Sequence, residues 1–252
     1  MPLRPIAVPL LLLGFANAAV ADEMHQPFGD ASAPNWSGFY AGIHGGFGKS
    51  GTNWGFPLLE YYNTAPGQNF SLDPKGSLVG GHLMVNRQFG RIVVGLEGAL
   101  SNATFRDDRL GPVAAFPEDQ FKTSIDNLAT ISGRLGYAFD KWLLYAKGGY
   151  ATAEVAHHAL SGPPGEGVEG ATQGRQNGRT VGAGVEYMIT PMIVLGLEYQ
   201  FVKLGDERHR ATTTGTLPGV PFTVDADDIA LHAVTARLTV KLGDWHEPES
   251  LK

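Results

Sequence analysis

Five stretches of this chain alternate large apolar residues with small or charged ones, and the sense of that alternation excludes an ordinary water-soluble fold. Ile92, Val94, Leu96, Gly98 and Leu100 share one face, and Gly95, Glu97, Ala99 and Ser101 share the other. Further along, Ile131, Leu135 and Tyr137 oppose Thr130, Ser132 and Arg134, and Val181, Ala183, Val185 and Tyr187 oppose Gly182, Gly184 and Glu186. Leu195, Leu197, Tyr199 and Phe201 then oppose Gly196, Glu198 and Gln200, and Val234, Ala236, Leu238, Val240 and Leu242 oppose Thr235, Arg237, Thr239 and Lys241. Period two is the pattern of strands with two unlike faces. A soluble barrel would turn its large apolar side chains inward. A narrow barrel has interior room only for side chains, so here the small and charged face points in and the large apolar face meets lipid. A charge on that outer face would cost roughly 2–4 kcal/mol near the bilayer midplane. Composition agrees: the 252 residues include 34 glycines and only 17% charged residues, against averages of roughly 7% and about 25%.

Eight such segments lie near residues 36–48, 77–89, 91–104, 125–138, 142–155, 178–189, 192–204 and 229–242. Tight turns at Gln88–Arg91, Phe139–Lys141 and Thr190–Pro191 alternate with long polar stretches at 49–76, 105–124, 156–177 and 205–228. Short turns on one side and long loops on the other are the mark of an up-and-down membrane barrel. The expected fold is all-β, an eight-stranded antiparallel up-and-down transmembrane β-barrel with four long outer loops and three short periplasmic turns. Phe89, Tyr137, Phe139, Trp142 and Tyr187 flank the short turns, and Phe47, Tyr150 and Phe201 lie near the long loops, as interfacial girdles would.

Arg4, the apolar run Ile6–Phe15 and the small residues Ala16–Ala21 read as a secretory signal peptide. Cleavage sites compete after Ala18 and after Ala21; the polar stretch from Asp22 favours the second, giving a signal peptide over 1–21. Residues 22–35 read as a periplasmic linker, 36–242 as the barrel and 243–252 as a periplasmic tail. The chain has no cysteine, which excludes disulfide scaffolds, thiol nucleophiles and thiolate metal sites. A net charge of −6 lacks the basic footprint of nucleic-acid binders. Gly-x-Ser-x-Gly, His-Glu-x-x-His and a phosphate loop are absent, so no enzyme is expected.

By parity, Glu97, Glu186 and Glu198 share the lumen with Arg134, Lys147, Arg237 and Lys241, where they should pair and fill the barrel. His44 and His82 also point inward on neighbouring strands, while His157, His158 and His209 fall in the long stretches. Imidazoles in these places are the candidate ligands for haem or a metal. Asp225, Asp227 and Asp228 form an acidic group in the last long stretch.

Residues Trp36-Ser37-Gly38-Phe39-Tyr40-Ala41-Gly42, Gly80-Gly81-His82-Leu83-Met84-Val85-Asn86-Arg87-Gln88-Phe89 and Gly95-Leu96-Glu97-Gly98 resemble the first three strands of the α-proteobacterial outer-membrane β-barrel family. Gly133-Arg134-Leu135-Gly136-Tyr137-Ala138-Phe139-Asp140-Lys141-Trp142 is similar to its fourth strand, turn and fifth strand. Thr180-Val181-Gly182-Ala183-Gly184-Val185-Glu186-Tyr187 and Glu198-Tyr199 are similar to the sixth and seventh. That family includes surface immunogens, porin-like proteins and haem-binding barrels. The resemblance implies an outer-membrane barrel of a Gram-negative bacterium with a structural or surface-interaction role. Its implied partners are outer-membrane lipids, lipopolysaccharide and the barrel-assembly machinery. A haem or metal receptor, a narrow porin and a lipid-A-modifying enzyme are the rival roles, and haem is the rival cofactor. Two features depart from the family: the last strand ends at Leu242 rather than an aromatic residue, and His82 stands where a polar uncharged residue is common.

Overall fold

The computed structural model describes residues 34–56, 68–110, 120–160, 168–205, 207–212 and 221–244. The expected signal peptide, nearly all of the linker and the tail beyond Asp244 lie outside the described residues. In chain order the strands are β1 (Gly38–Phe56), β2 (Gln68–Leu72), β3 (Lys75–Phe89), β4 (Ile92–Ala103), β5 (Phe105–Leu110) and β6 (Gln120–Phe139). They continue as β7 (Trp142–Leu160), β8 (Val168–Met188), β9 (Ile193–Leu204), β10 (Glu207–Thr212) and β11 (Pro221–Gly243). All pairings are antiparallel and run β11-β9-β8-β7-β6-β4-β3-β1, with β1 pairing back onto β11 to close the sheet. Three short strands extend this ring. β2 continues into β3 through Asp73-Pro74, β5 follows β4 across Thr104, and β10 follows β9 across Gly205 and Asp206, so the ring has eight staves. The β1–β11 pairing removes the two open edges that the row of eight staves would otherwise have, which lipid demands.

Parity assigns the faces. A contiguous apolar band is exposed on the outside, including Ile43, Phe47, Leu83, Leu96, Leu100, Ile131, Leu135, Leu144, Leu197 and Leu242, with Phe47 77% exposed. Gly90 and Asp140 open the β3–β4 and β6–β7 turns at φ 60° and 47°, the positive φ that two-residue hairpins need. The third short connection, Ile189–Met192, is two residues longer than the expected Thr190–Pro191, and Ile193 N–H donates back to Thr190 O at 3.2 Å.

Several staves run past the expected strand ends. β6 and β7 pair out to Gln120 and Leu160, and β8 and β11 begin at Val168 and Pro221. Much of the expected loop sequence is therefore strand. Beyond the apolar band the outward residues turn polar, as at Lys49 and Ser124, so the period-two contrast fades while the backbone ladder continues. The opposite correction applies at Trp36, which precedes β1 and is buried, with its backbone N–H bonded to Gln88 Oε1 at 2.7 Å.

The lumen is layered. At the long-loop end Leu78, Phe105, Ile125, Leu128, Val155, Leu204, Ile229 and Leu231 form an apolar cluster. At the short-turn end Trp36, Tyr40, Met84, Val93, Leu143, Met188 and Val194 form a second. The expectation of a uniformly small or charged interior holds only for the middle layer.

Candidate functional site in the barrel lumen

Between these apolar layers lies the charged set. β4 supplies Glu97, β6 Arg134, β7 Lys147, β8 Glu186, β9 Glu198 and β11 Arg237, each nearly completely buried. Glu97 is the hub. Its carboxylate accepts from Lys147 Nζ at 2.8 Å and from Arg237 Nη1 and Nη2 at 3.1 and 2.5 Å, and lies 3.6 Å from Arg134 Nη1. Glu198 accepts from Lys147 at 2.7 Å, from Arg237, and from the Tyr145 hydroxyl at 2.6 Å. Arg134 donates to Glu186 at 2.8 Å and lies 4.0 Å above the Tyr145 ring. Three acids and three bases thus balance.

Lys241 stands apart from this network. It lies at the short-turn rim, donating to Asn35 O at 3.0 Å and pairing with Asp244. Its parity is inward as expected, but its position on the last turn of β11 puts it below the charged layer. Tyr145 is the member that sequence reading missed; its signal was the inward parity it shares with Leu143 and Lys147.

His44 and His82 do meet. Their Nδ1 atoms lie 3.3 Å apart, with His44 Nε2 2.8 Å from Ser101 Oγ and His82 Nε2 2.9 Å from Thr239 Oγ1. All four ring nitrogens are therefore engaged within a buried chain of side chains. His157 and His158 lie in β7, opposite Thr172 and Ala171 of β8, and His209 lies in β10 opposite Val224. They belong to strand extensions rather than loops, and their side chains lie outside the described residues, as do those of Asp225, Asp227 and Asp228. Among the described residues no three His, Asp or Glu side chains gather as a metal site.

Glycine makes the room. His82 faces Gly42 across the β1–β3 ladder and His44 faces Gly80; Arg134 and Lys147 face Gly95 and Gly182, and Glu186 and Arg237 both face Gly196. Tyr145 faces Gly184, where an added Cβ would lie 2.6 Å from the phenol ring. Each long inward side chain lies across space that a neighbouring side chain would otherwise fill. A cavity bounded by His44, Glu97, Ser101, Lys147, Glu198 and Arg237 measures about 10 Å³, room for one water.

Comparison with known proteins agrees with this architecture. Residues 8–241 match the family model described as an outer membrane protein beta-barrel domain. The chain is 28% identical over 202 residues to the 31 kDa outer-membrane immunogenic proteins of Brucella melitensis and Brucella suis, covering 76% of this chain and 83% of each relative. Among solved structures it is similar to the outer membrane protein OprG from Pseudomonas aeruginosa, at 12% identity and a TM-score of 0.46 over 81% of this chain and 96% of that one. A closed ring of eight staves, an exposed apolar band and a family match across nearly the whole ring have one consequence: the chain belongs to the outer membrane protein beta-barrel family, and it resides in the outer membrane of a Gram-negative bacterium.

Proposed function

We propose that this barrel is a non-enzymatic scaffold that carries its long-loop end as an interaction surface, with a lumen that neither conducts nor binds a cofactor. The observation that carries this reading is the layered interior. Paired charges crowd the middle around a cavity of about 10 Å³, and apolar clusters lie on either side of them, which supports a closed lumen. An aqueous channel generally needs about 16 strands. Its partners are the surrounding lipids, lipopolysaccharide and the barrel-assembly machinery that inserts it. The surface role follows the immunogenic character named for its Brucella relatives.

Planar-bilayer recordings test the lumen: no discrete conductance steps are expected from the wild type, and a reproducible unit conductance would overturn the closed-lumen reading. Haemin titration tests the histidines. Because His44 and His82 bond each other, Ser101 and Thr239 inside a filled lumen, the wild type and a His44→Ala/His82→Ala variant are expected to give the same haemin absorbance. A saturable Soret shift lost in that variant would reinstate the haem receptor.

A further inference from the structure

The outer face of the long-loop end carries a row of basic residues set in direct cross-strand register. His232 on β11 pairs with Lys49 on β1, Lys49 pairs with Lys75 on β3, and Lys75 pairs with Arg106 on β5. Lys49, Lys75 and Arg106 are exposed, on the outward parity of their strands. On the far side of β11, Arg179 of β8 pairs with Lys203 of β9, which pairs with Ala230. Like charges directly opposite one another on a sheet are destabilising, so three successive cations on neighbouring staves call for an anion from outside the chain. Among the described residues no carboxylate forms an ion pair with Lys49, Lys75 or Arg106. Two acids lie close along the chain: Asp73, exposed two residues before Lys75, forms no ion pair with it, and Asp107, of opposite parity to Arg106, accepts from Asp73 N–H at 2.8 Å.

Depth identifies the anion. Lys49 lies two residues beyond Phe47, the most exposed residue of the apolar band, so its Cα stands about 7 Å farther along the strand. His232 packs beside Phe201 at 4.9 Å and bonds the Tyr199 hydroxyl at 2.7 Å, placing the same row against the outer aromatic belt. Strands of such barrels tilt by 35–45°, so the row climbs about 10 Å from His232 to Arg106 instead of lying at one depth. A height of that kind matches a headgroup with several stacked anionic groups better than a single phosphate plane.

We propose that Lys49, Lys75 and Arg106 form a binding site for the phosphates of the anionic glycolipid in the outer leaflet, with His232 and Tyr199 contacting its upper acyl and sugar boundary. The site rests on the long-loop end facing outward and is independent of whether the lumen is closed, so the conductance experiment and this one fail separately.

The test uses full-length protein in phosphatidylcholine nanodiscs and fluorescent bis-phosphorylated lipid A as the probe. The Lys49→Ala/Lys75→Ala/Arg106→Ala variant is expected to bind on the order of a hundredfold more weakly than wild type, at roughly fivefold per charge. Dephosphorylated lipid A is expected to bind both alike. Heat-dependent gel mobility in lipid-A-free nanodiscs checks that the variant is folded; if it is not, the three single variants supply the same readout in fivefold steps. Unchanged affinity in folded variants overturns the site. Loss of binding to soluble heparin with lipid A affinity intact also overturns it, by assigning the row to a soluble sulfated glycan.

Discussion

Replacing Glu97 with alanine is expected to cost the barrel about 3–5 kcal/mol, the typical penalty for leaving buried charge without its counter-ion. The hub geometry makes this the most damaging single change in the lumen. Glu97 is in contact with Lys147, Arg237 and Arg134 together, and Arg237 and Lys147 would be left to share Glu198 alone. Glu186→Gln should cost less, about 1.5 kcal/mol, because it removes one charged acceptor from Arg134, which still faces Glu97 and the Tyr145 ring. The Glu97→Ala/Arg237→Ala double variant should lose less than the sum of the single losses, with a coupling of about 1–3 kcal/mol, since each single change orphans the other's charge. Urea unfolding from lipid vesicles, followed by tryptophan fluorescence, reads the wild type, the Glu97→Ala, Arg237→Ala and Glu186→Gln variants, and the double variant. A cost for Glu97→Ala well under 1 kcal/mol would mean that water reaches the charged layer, and the sealed interior would have to be abandoned.

Parity made the outward face and the inward charges legible, since a strand offers only two sides. Parity alone does not say which cation meets which anion. Glu97 bonds Arg237, 140 residues away, because the register rows climb around the ring as the staves tilt. The row through Phe39 at the start of β1 reaches Val85 on β3, already four residues from its turn, and then Leu96 on β4. The same offset leaves Lys241 on the rim with Asp244 while Arg237, four residues earlier, reaches the hub. Two imidazoles on adjacent inward faces were readable from His44 and His82, yet their contact depends on Gly42 and Gly80 lying directly opposite each ring. The apolar layers were hidden for another reason. Phe105 and Ile125 sit where the chain leaves the apolar band, and there a buried inward residue no longer contrasts with an apolar outward one. The cation row was invisible too, since Lys49, Lys75 and Arg106 are scattered in sequence and only register aligns them.

Gly149→Ala is expected to destabilise the barrel by about 3 kcal/mol or more, at or above the upper end of the usual range for overpacking. Gly149 points inward on β7, between Ser132 on β6 and Thr180 on β8. A Cβ there would overlap the Ile131 carbonyl oxygen and stand 2.6 Å from Ser132 Cα. Both are backbone atoms held by the ladder, so no rotamer change relieves the clash; the two staves must separate, and their hydrogen bonds with them. Gly133→Ala is the matched comparison. It lies beside this position, on the outward parity of β6, with nothing within 4 Å of an added Cβ, and its cost should stay within about 0.5 kcal/mol. Gly184→Ala should fall between them, because its tightest clash is with the Tyr145 phenol, which can swing away at the expense of its bond to Glu198, leaving a milder 2.8 Å approach to the Leu197 carbonyl oxygen. Unfolding midpoints and the fraction showing heat-dependent gel mobility order the three. Equal behaviour of Gly149→Ala and Gly133→Ala would show that the staves can part freely, and the abundance of glycine would then need another cause than a narrow lumen. The predicted order instead ties that abundance to close approach of backbone and long inward side chains, position by position.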